Sequence, residues 1–392
     1  MSSLTNPFGH PTDDDVRILA SRMALIVVSP SWGSDAAQSQ GKPSTLPQEF
    51  ADDEAQAYGD LVQSIRTLPI PPALVIVVDG MGSDRMRALV EADDSQRRTA
   101  PERPAAHDAP AADTSGDMQD RPRFVYVKGD AKQGPSQWLS LGMKEANDRG
   151  AQWFWLLDTA VTVNADALHR FAAWTSSHAL IQGGFDEAHT GAYAAHGSYT
   201  QFHPALGISE YVRAPRFGRA GYLVISSASA RGMLVSRAIV DAIGLPDPRF
   251  ALHGADTMYT YAAGAYTNPI AIPDAVVTWN SSAHSVQKEA VNICSNPAHA
   301  NITTADCYVT MRNRGYVARY LMERGDFHPL AFAIGTAVTC GSQFSALMRA
   351  RHDAAVPGIV ELFKGWVAAR RIMHDPDWRP AQSPSALAVH SS

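Results

Sequence analysis

Three aspartates stand where a carboxylate can meet a ligand. Asp79 closes the apolar run Ala73-Leu-Val-Ile-Val-Val78, and Asp158 closes Trp153-Phe-Trp-Leu-Leu157. An acid at the carboxyl end of a buried strand reaches the crevice outside a parallel α/β sheet, where such sheets bind ligands. One such Asp would more simply cap the turn after it; two, each behind an apolar strand, point to a site. Asp256 lies in His253-Gly-Ala-Asp256-Thr-Met-Tyr259, at the mouth of a helix. Taken alone it reads as a helix-start acid favoured by the helix dipole. Carboxylates in this pattern can hold a hard divalent cation or take up a proton. Asp79 also runs into Gly-Met-Gly82-Ser83-Asp84, a loop that could cradle phosphate. It lacks the third glycine of G-x-G-x-x-G and its acid precedes the glycines, which disfavours a nicotinamide site.

The elements that must position these residues are legible from hydrophobic pattern. Ala24-Leu-Ile-Val-Val28 reads as a buried parallel strand ending at Ser29-Pro30-Ser31-Trp32-Gly33. Phe50, Ala55, Tyr58, Leu61, Val62, Ile65 and Leu68 recur at helical spacing behind the acidic turn Asp52-Asp53-Glu54. With the strand ending at Val78 this makes a βαβ unit. Further strands are predicted at 124–127, 153–157, 222–225 and 270–279. Helices are predicted at Ser136–Asn147, with Gly150 as C-terminal cap, from about Asp166 to Trp174, and at Arg237–Ile243 before Gly244 and Pro246. Gly134-Pro-Ser136 is not a nucleophile elbow; it reads as a helix start with Ser136 near the cap. Residues 1–22 form an N-terminal extension. Residues 91–122 are rich in Asp, Arg, Pro and Ala and read as a flexible insertion. From Tyr308 to about Met373 the pattern is helical, and 376–392 reads as a disordered tail.

Composition narrows the classes. The chain has 392 residues, 45% of them hydrophobic, with 33 Lys+Arg against 39 Asp+Glu and a net charge of −6. That balance argues against a nucleic-acid binder held by bulk positive charge. Cys294, Cys307 and Cys340 lack zinc-ligand spacing and cannot form a disulfide framework. With no basic and apolar leader at its start, the chain is expected to be cytoplasmic. No uninterrupted apolar run reaches the length of a transmembrane helix. The interrupted apolar stretch Phe327–Met348 is expected to pack on the sheet domain.

In their order and spacing these segments resemble family 2 glycosyltransferases of the GT-A fold, over roughly residues 23–320. Ser29, Pro30 and Trp32 lie in a turn similar to the family's first-strand turn. Val77-Val78-Asp79-Gly-Met-Gly82-Ser83-Asp84 resembles the segment whose Asp contacts the uracil of the donor. Lys132-Gln-Gly134-Pro-Ser136-Gln-Trp138 overlies a glycine-rich donor loop, and Leu157-Asp158-Thr-Ala160 the Asp-x-Asp metal motif. Gly232-Met-Leu-Val-Ser-Arg237 through Gly244-Leu-Pro246 matches a further family segment. His253 through Tyr259 stands at the motif holding the catalytic base, and Tyr308-Val-Thr-Met-Arg312-Asn313 resembles a motif of galactofuranosyl- and rhamnosyltransferase-like members.

The resemblance implies an α/β protein with a mostly parallel central sheet flanked by helices. A GT-A domain would span 23–305 and a helical C-terminal region 306–375. Asp256 would be the catalytic base and Asp158 the ligand of Mg²⁺ or Mn²⁺. Ser29, Pro30, Trp32, Asp79, Gly82, Ser83, Lys132 and Trp138 would line the donor, with His253 and Tyr259 towards the acceptor. The implied partners are a nucleotide sugar, an acceptor that is a glycan, a lipid-linked sugar or a protein, and a membrane touched peripherally on its cytoplasmic face. A homo-oligomer is compatible with all of this.

Departures fall on the chemistry. Thr159 and Ala160 replace acids of the metal triplet, Ala255 and Met258 replace acids of the base motif, and Trp138 stands where the donor loop has glycine. Trp138 would crowd a nucleotide or stack on it. Two readings therefore stand: an inverting glycosyltransferase, and a catalytically impaired relative that binds a sugar, a nucleotide or a protein. A third, a metal-dependent phosphohydrolase, fits Val-Asp-Gly-Met-Gly, but no Asp-x-His cluster accompanies it among the fourteen histidines.

Overall fold

The computed structural model describes residues 11–29, 48–99, 121–130, 133–186, 199–212, 217, 220–251, 254–280, 304–350 and 355–381. In chain order the elements are α1 (Asp13–Ser21), β1 (Met23–Ser29), α2 (Gln48–Arg66), β2 (Leu74–Asp79), α3 (Asp84–Thr99), β3 (Arg123–Lys128), α4 (Pro135–Asp148), β4 (Trp153–Asp158), β5 (Val161–Val163), α5 (Ala167–Thr175) and β6 (Leu180–Asp186). They continue with β7 (Thr200–His203), β8 (Ile208–Tyr211), β9 (Leu223–Val224), β10 (Met233–Ser236), α6 (Arg237–Ile243), α7 (Ala255–Ala263), β11 (Ile270–Trp279), α8 (Thr304–Arg324), α9 (Pro329–Ala350) and α10 (Ala355–His374).

Among the described residues the main sheet runs β3-β2-β1-β4-β10-β6-β11-β5, with β9 paired to β11. The first four strands are parallel; β10 enters antiparallel between β4 and β6, and β6 and β11 are again parallel. β5 and β9 pair antiparallel to β11, so the sheet is mixed; the α/β architecture with C-terminal helices is as expected.

Strand alternation divides the core. On one face Leu25, Val27, Val75, Val77 and Trp155 pack with Leu19 of α1, Leu61 and Ile65 of α2 and Phe171 of α5. On the other, Ile26, Val28, Ile76, Val78 and Phe154 pack with Leu139 and Met143 of α4 and Ile239 of α6. Both faces are covered by helices, so the strands must be apolar throughout, and that is why they read as continuous runs. Gly142 lets α4 approach closely: a Cβ there would fall 2.6 Å from Ile26 Cγ2. A third cluster, including Phe250, Met258, Tyr320, Leu321 and Phe332, joins the C-terminal helices to α7.

Three expectations about the end segments and the insertion change. Glu91–Thr99 complete helix α3, so the inserted segment is shorter at its start; 100–120 lie outside the described residues. Asp13–Ser21 of the N-terminal extension form a helix with a capping box between Thr12 and Asp15. The expected tail is anchored at least to Trp378, whose ring is buried against Tyr316 and Tyr320. The helix start with Ser136 near the cap is as expected: Gly134 is the cap, without a side-chain bond, Pro135 the first helical residue and Ser136 the second.

Candidate functional site

Parallel pairing in register sets the strand ends side by side. Ser29 of β1 lies against Asp79 of β2, and Val28 against Asp158 of β4. The carboxyl ends of three adjacent strands thus bring a hydroxyl and two carboxylates to one edge of the sheet.

Each of these groups is spent on a partner within the protein. The Ser29 hydroxyl donates to Glu54 of α2, and both side chains are buried. Asp79 is fully buried, its carboxylate turned into its own loop. Oδ1 accepts from Met81 N at 3.0 Å, while Oδ2 accepts from the Ser83 backbone N–H, the Ser83 hydroxyl and the Tyr126 hydroxyl. Burial first, and then the adjacent Asp79 carboxylate, raise the Tyr126 phenol well above its ordinary range, which keeps it a donor. Ser83 in turn accepts from Met86 N at 3.1 Å and so caps α3. Gly82 takes φ +66°, where a Cβ would also meet the Lys128 side chain at 2.7 Å. Asp79 therefore builds the loop 79–83 rather than reaching a base, which corrects its expected contact.

Trp138 is also corrected. Its ring is buried beneath that loop, where a Cβ on Gly80 would lie 2.5 Å from it. Its indole N–H donates to Asp130 O at 3.1 Å. Gly80 is the glycine this contact requires, and the indole is a floor for the loop, neither crowding nor stacking in a crevice.

Asp158 is paired with Arg231, the residue that precedes β10 by two. The Arg231 Nε–H donates to Asp158 Oδ2, with side-chain exposures of 5% and 9%, and Ala160 N donates to Oδ1 at 3.1 Å. The guanidinium lies over the Trp279 ring, 5.1 Å from its centroid. A hard divalent cation needs several oxygen ligands. Here the motif provides one carboxylate with both oxygens engaged, followed by Thr159, whose buried hydroxyl has no hydrogen-bond partner among the described residues, and Ala160. Among the described residues no group of three His, Cys, Asp or Glu side chains could hold a metal ion. The described residues do not by themselves fit a resident Mg²⁺ or Mn²⁺.

Asp256 enters from the first turn of α7, half-buried. Its Oδ1 accepts from Thr257 N at 2.8 Å and its Oδ2 from Ala230 N at 3.4 Å. The segment 229–231 thus touches Asp256 through Ala230 and Asp158 through Arg231. Gln182 clamps the same segment: its amide donates to Arg231 O at 2.8 Å and accepts from Ser229 N at 2.8 Å. Ser227 and Thr257 share a hydroxyl contact of 2.9 Å. A loop so fully hydrogen-bonded holds the two acids in a fixed relation.

Tyr259 does not face an acceptor. It is fully buried, its hydroxyl donates to Gly244 O at 3.2 Å, and burial raises its pKa far above the ordinary tyrosine value. Pro30, Trp32, Lys132 and His253 lie outside the described residues.

Sequence reasoning missed Arg231, Glu54 and Tyr126. It also missed what Arg312 and Asn313 do. Arg312 donates to Arg249 O at 3.0 Å and Asn313 to Phe250 O at 2.8 Å. Together they brace the 3-10 turn Pro248–Phe250, itself tied by Asp247 to Arg249 and Tyr320. Ala251 follows at φ 58°, a left-handed conformation rare for alanine, and its carbonyl accepts from Ser136 N at 3.1 Å. The C-terminal helix α8 therefore positions the turn that leads into Asp256.

No protein-family model matches the chain, and no curated protein matches it. Solved structures do. One is TarS 1–349 of S. aureus, at TM-score 0.44 and 12% identity, covering 90% of this chain and 82% of that one. TarS 1–349 in complex with UDP-GlcNAc gives 0.41 and 13%, covering 89% and 79%. GalNAc-T7 with UDP, GalNAc and Mn²⁺ gives 0.41 and 11%, covering 66% and 42%. Likeness at this level assigns no role to any residue.

Proposed function

We propose that the chain transfers a sugar from a nucleotide-diphosphate donor to an acceptor hydroxyl, with inversion at the anomeric carbon. The observation that carries this is the bridge of segment 229–231 between Asp256 and the strand-end Asp158. It sets a half-buried carboxylate beside the carboxyl edge of a parallel sheet, the edge at which such sheets bind nucleotides. The motif order read from the sequence supports the same class.

In this mechanism Asp256 takes the proton of the acceptor hydroxyl. The acceptor oxygen forms a bond to the anomeric carbon from the face opposite the diphosphate. The bond to the diphosphate oxygen breaks, and the nucleoside diphosphate leaves with that electron pair. The loop 79–83, held by Asp79 and floored by Trp138, forms the rigid wall beside the nucleotide. The acceptor is a glycan, a lipid-linked sugar or a protein.

A second reading, a non-turning-over binding module, draws on the buried Asp158–Arg231 pair at the place of the metal motif. The two are separated by incubating the full chain with a panel of UDP-sugars and acceptors while following UDP release and thermal shift. UDP release that falls roughly 10²–10⁴-fold in Asp256→Asn supports transfer with Asp256 as base. Thermal shift without UDP release supports the binding module, and neither response overturns both.

A further inference from the structure

We propose that helices α9 and α10 form a face that rests on an anionic lipid surface. Among the described residues twelve large hydrophobic side chains are exposed, and nine of them belong to these two helices. On α9, Leu330 (84% exposed), Ile334 and Val338 recur every four residues along one stripe. On α10, Val356, Ile359, Val360, Phe363 (62% exposed) and Trp366 recur at spacings of three and four residues, which puts them on one face.

The pattern of α10 is the inverse of an ordinary surface helix. Its inward positions are Gly358, Leu362, Gly365 and Ala369, three of them small, while its bulky apolar residues point outward. The inward glycines fix this orientation. A Cβ on Gly365 would fall 2.4 Å from Tyr308 O of α8, and one on Gly358 would fall 1.9 Å from Leu347 of α9. α10 cannot roll its hydrophobic face towards the body without breaking those contacts.

α9 is equally fixed, and it lies along the protein. By length and composition Pro329–Arg349 could cross a membrane, contrary to the expectation from uninterrupted runs. But Phe332 is buried in the cluster with Phe250 and Leu321, and Arg314 of α8 donates to Phe332 O and to the Thr336 hydroxyl. One side of α9 is thus committed to the protein and the other to whatever lies outside. The stretch 327–348 packs on the body as expected, by one side.

Charge selects the occupant. α9 carries Arg349 and no acid; α10 carries Lys364, Arg370 and Arg371 against Glu361, which pairs with Lys364 at 2.7 Å, so the positive charge of the two helices rests on Arg349, Arg370 and Arg371 in a chain of net charge −6. Arg370 lies over the Trp366 ring, 5.4 Å from its centroid, and Trp366 pairs with Phe363 at a centroid distance of 5.8 Å. Apolar and aromatic residues rimmed by Arg suit the headgroup boundary of an anionic bilayer. A two-fold pairing of this face with a second copy would set basic rim against basic rim. The inference is independent of the sugar-transfer reading.

The test is co-sedimentation of the full chain with vesicles of phosphatidylcholine alone or of phosphatidylcholine with phosphatidylglycerol, at low and high salt. Binding to the phosphatidylglycerol vesicles, weakened by salt, is expected. Arg370→Gln with Arg371→Gln is expected to weaken it about thirtyfold. Phe363→Ser with Trp366→Ser should abolish it while leaving the thermal melt in place. Should that variant misfold, quenching of the parent's tryptophan fluorescence by brominated lipids, reduced in Trp366→Phe, reads the same contact. Absence of binding to the anionic vesicles overturns the proposal. So does a stable dimer in sedimentation equilibrium that Phe363→Ser and Trp366→Ser dissolve while the parent ignores vesicles.

Discussion

Arg231 stands across the sheet from Asp158 and satisfies it. β10 runs antiparallel beside β4 with Met233 opposite Leu156, so two residues further along each strand Arg231 meets Asp158. An ion pair buried this deeply is stable only while both members are present.

Asp158→Asn or Arg231→Met alone is therefore expected to destabilise the chain by about 3–5 kcal/mol, because each leaves a buried charge uncompensated. The double variant should recover much of that loss. Urea unfolding of the four proteins gives the coupling directly, and additive single effects would contradict it.

Nucleotide binding is expected to be indifferent to divalent cations. Asp158 has both oxygens engaged, and Thr159 and Ala160 offer no carboxylate beside it. Calorimetric titration with UDP should give the same affinity in EDTA as in Mn²⁺. A large gain with Mn²⁺ would show that the pair opens to admit a metal.

Thr159 carries a buried hydroxyl without a hydrogen-bond partner among the described residues. Thr159→Val keeps the shape and removes the unsatisfied group, and should raise stability by about 1 kcal/mol. A thermal melt measures it; a lower melting temperature would mean the hydroxyl is satisfied in solution.

The loop 79–83 depends on one carboxylate. Asp79→Ala would strand the backbone N–H groups of Met81 and Ser83 and the Tyr126 hydroxyl, at a cost of about 3 kcal/mol or more. Ser83→Ala removes only a helix cap and should cost about 1 kcal/mol. Chemical denaturation of both variants tests the ratio, and equal losses would argue that Asp79 serves the loop no more than Ser83 does.

Much of the scaffold was legible in the sequence because its signals are local. Strands covered on both faces must be apolar at every position, so β1, β2 and β4 announce themselves, and their terminal residues Ser29, Asp79 and Asp158 fall at the sheet's carboxyl edge whatever the details. Gly150 and Gly244 with Pro246 mark helix ends for similarly local reasons of backbone conformation. The direction in which each site side chain turns was not legible. That depends on partners far away in the chain: Glu54 for Ser29, Tyr126 for Asp79, Gly80 for Trp138. Residues 91–99 misled because a polar helix has composition close to that of a loop. The single feature that most alters the chemistry, the Asp158–Arg231 pair, exists only because β10 inserts antiparallel between β4 and β6. Residue types and spacing determined where carboxylates gather in this protein; only the pairing of distant strands decided which of them were already neutralised, since a buried charge is defined by what lies across the sheet from it.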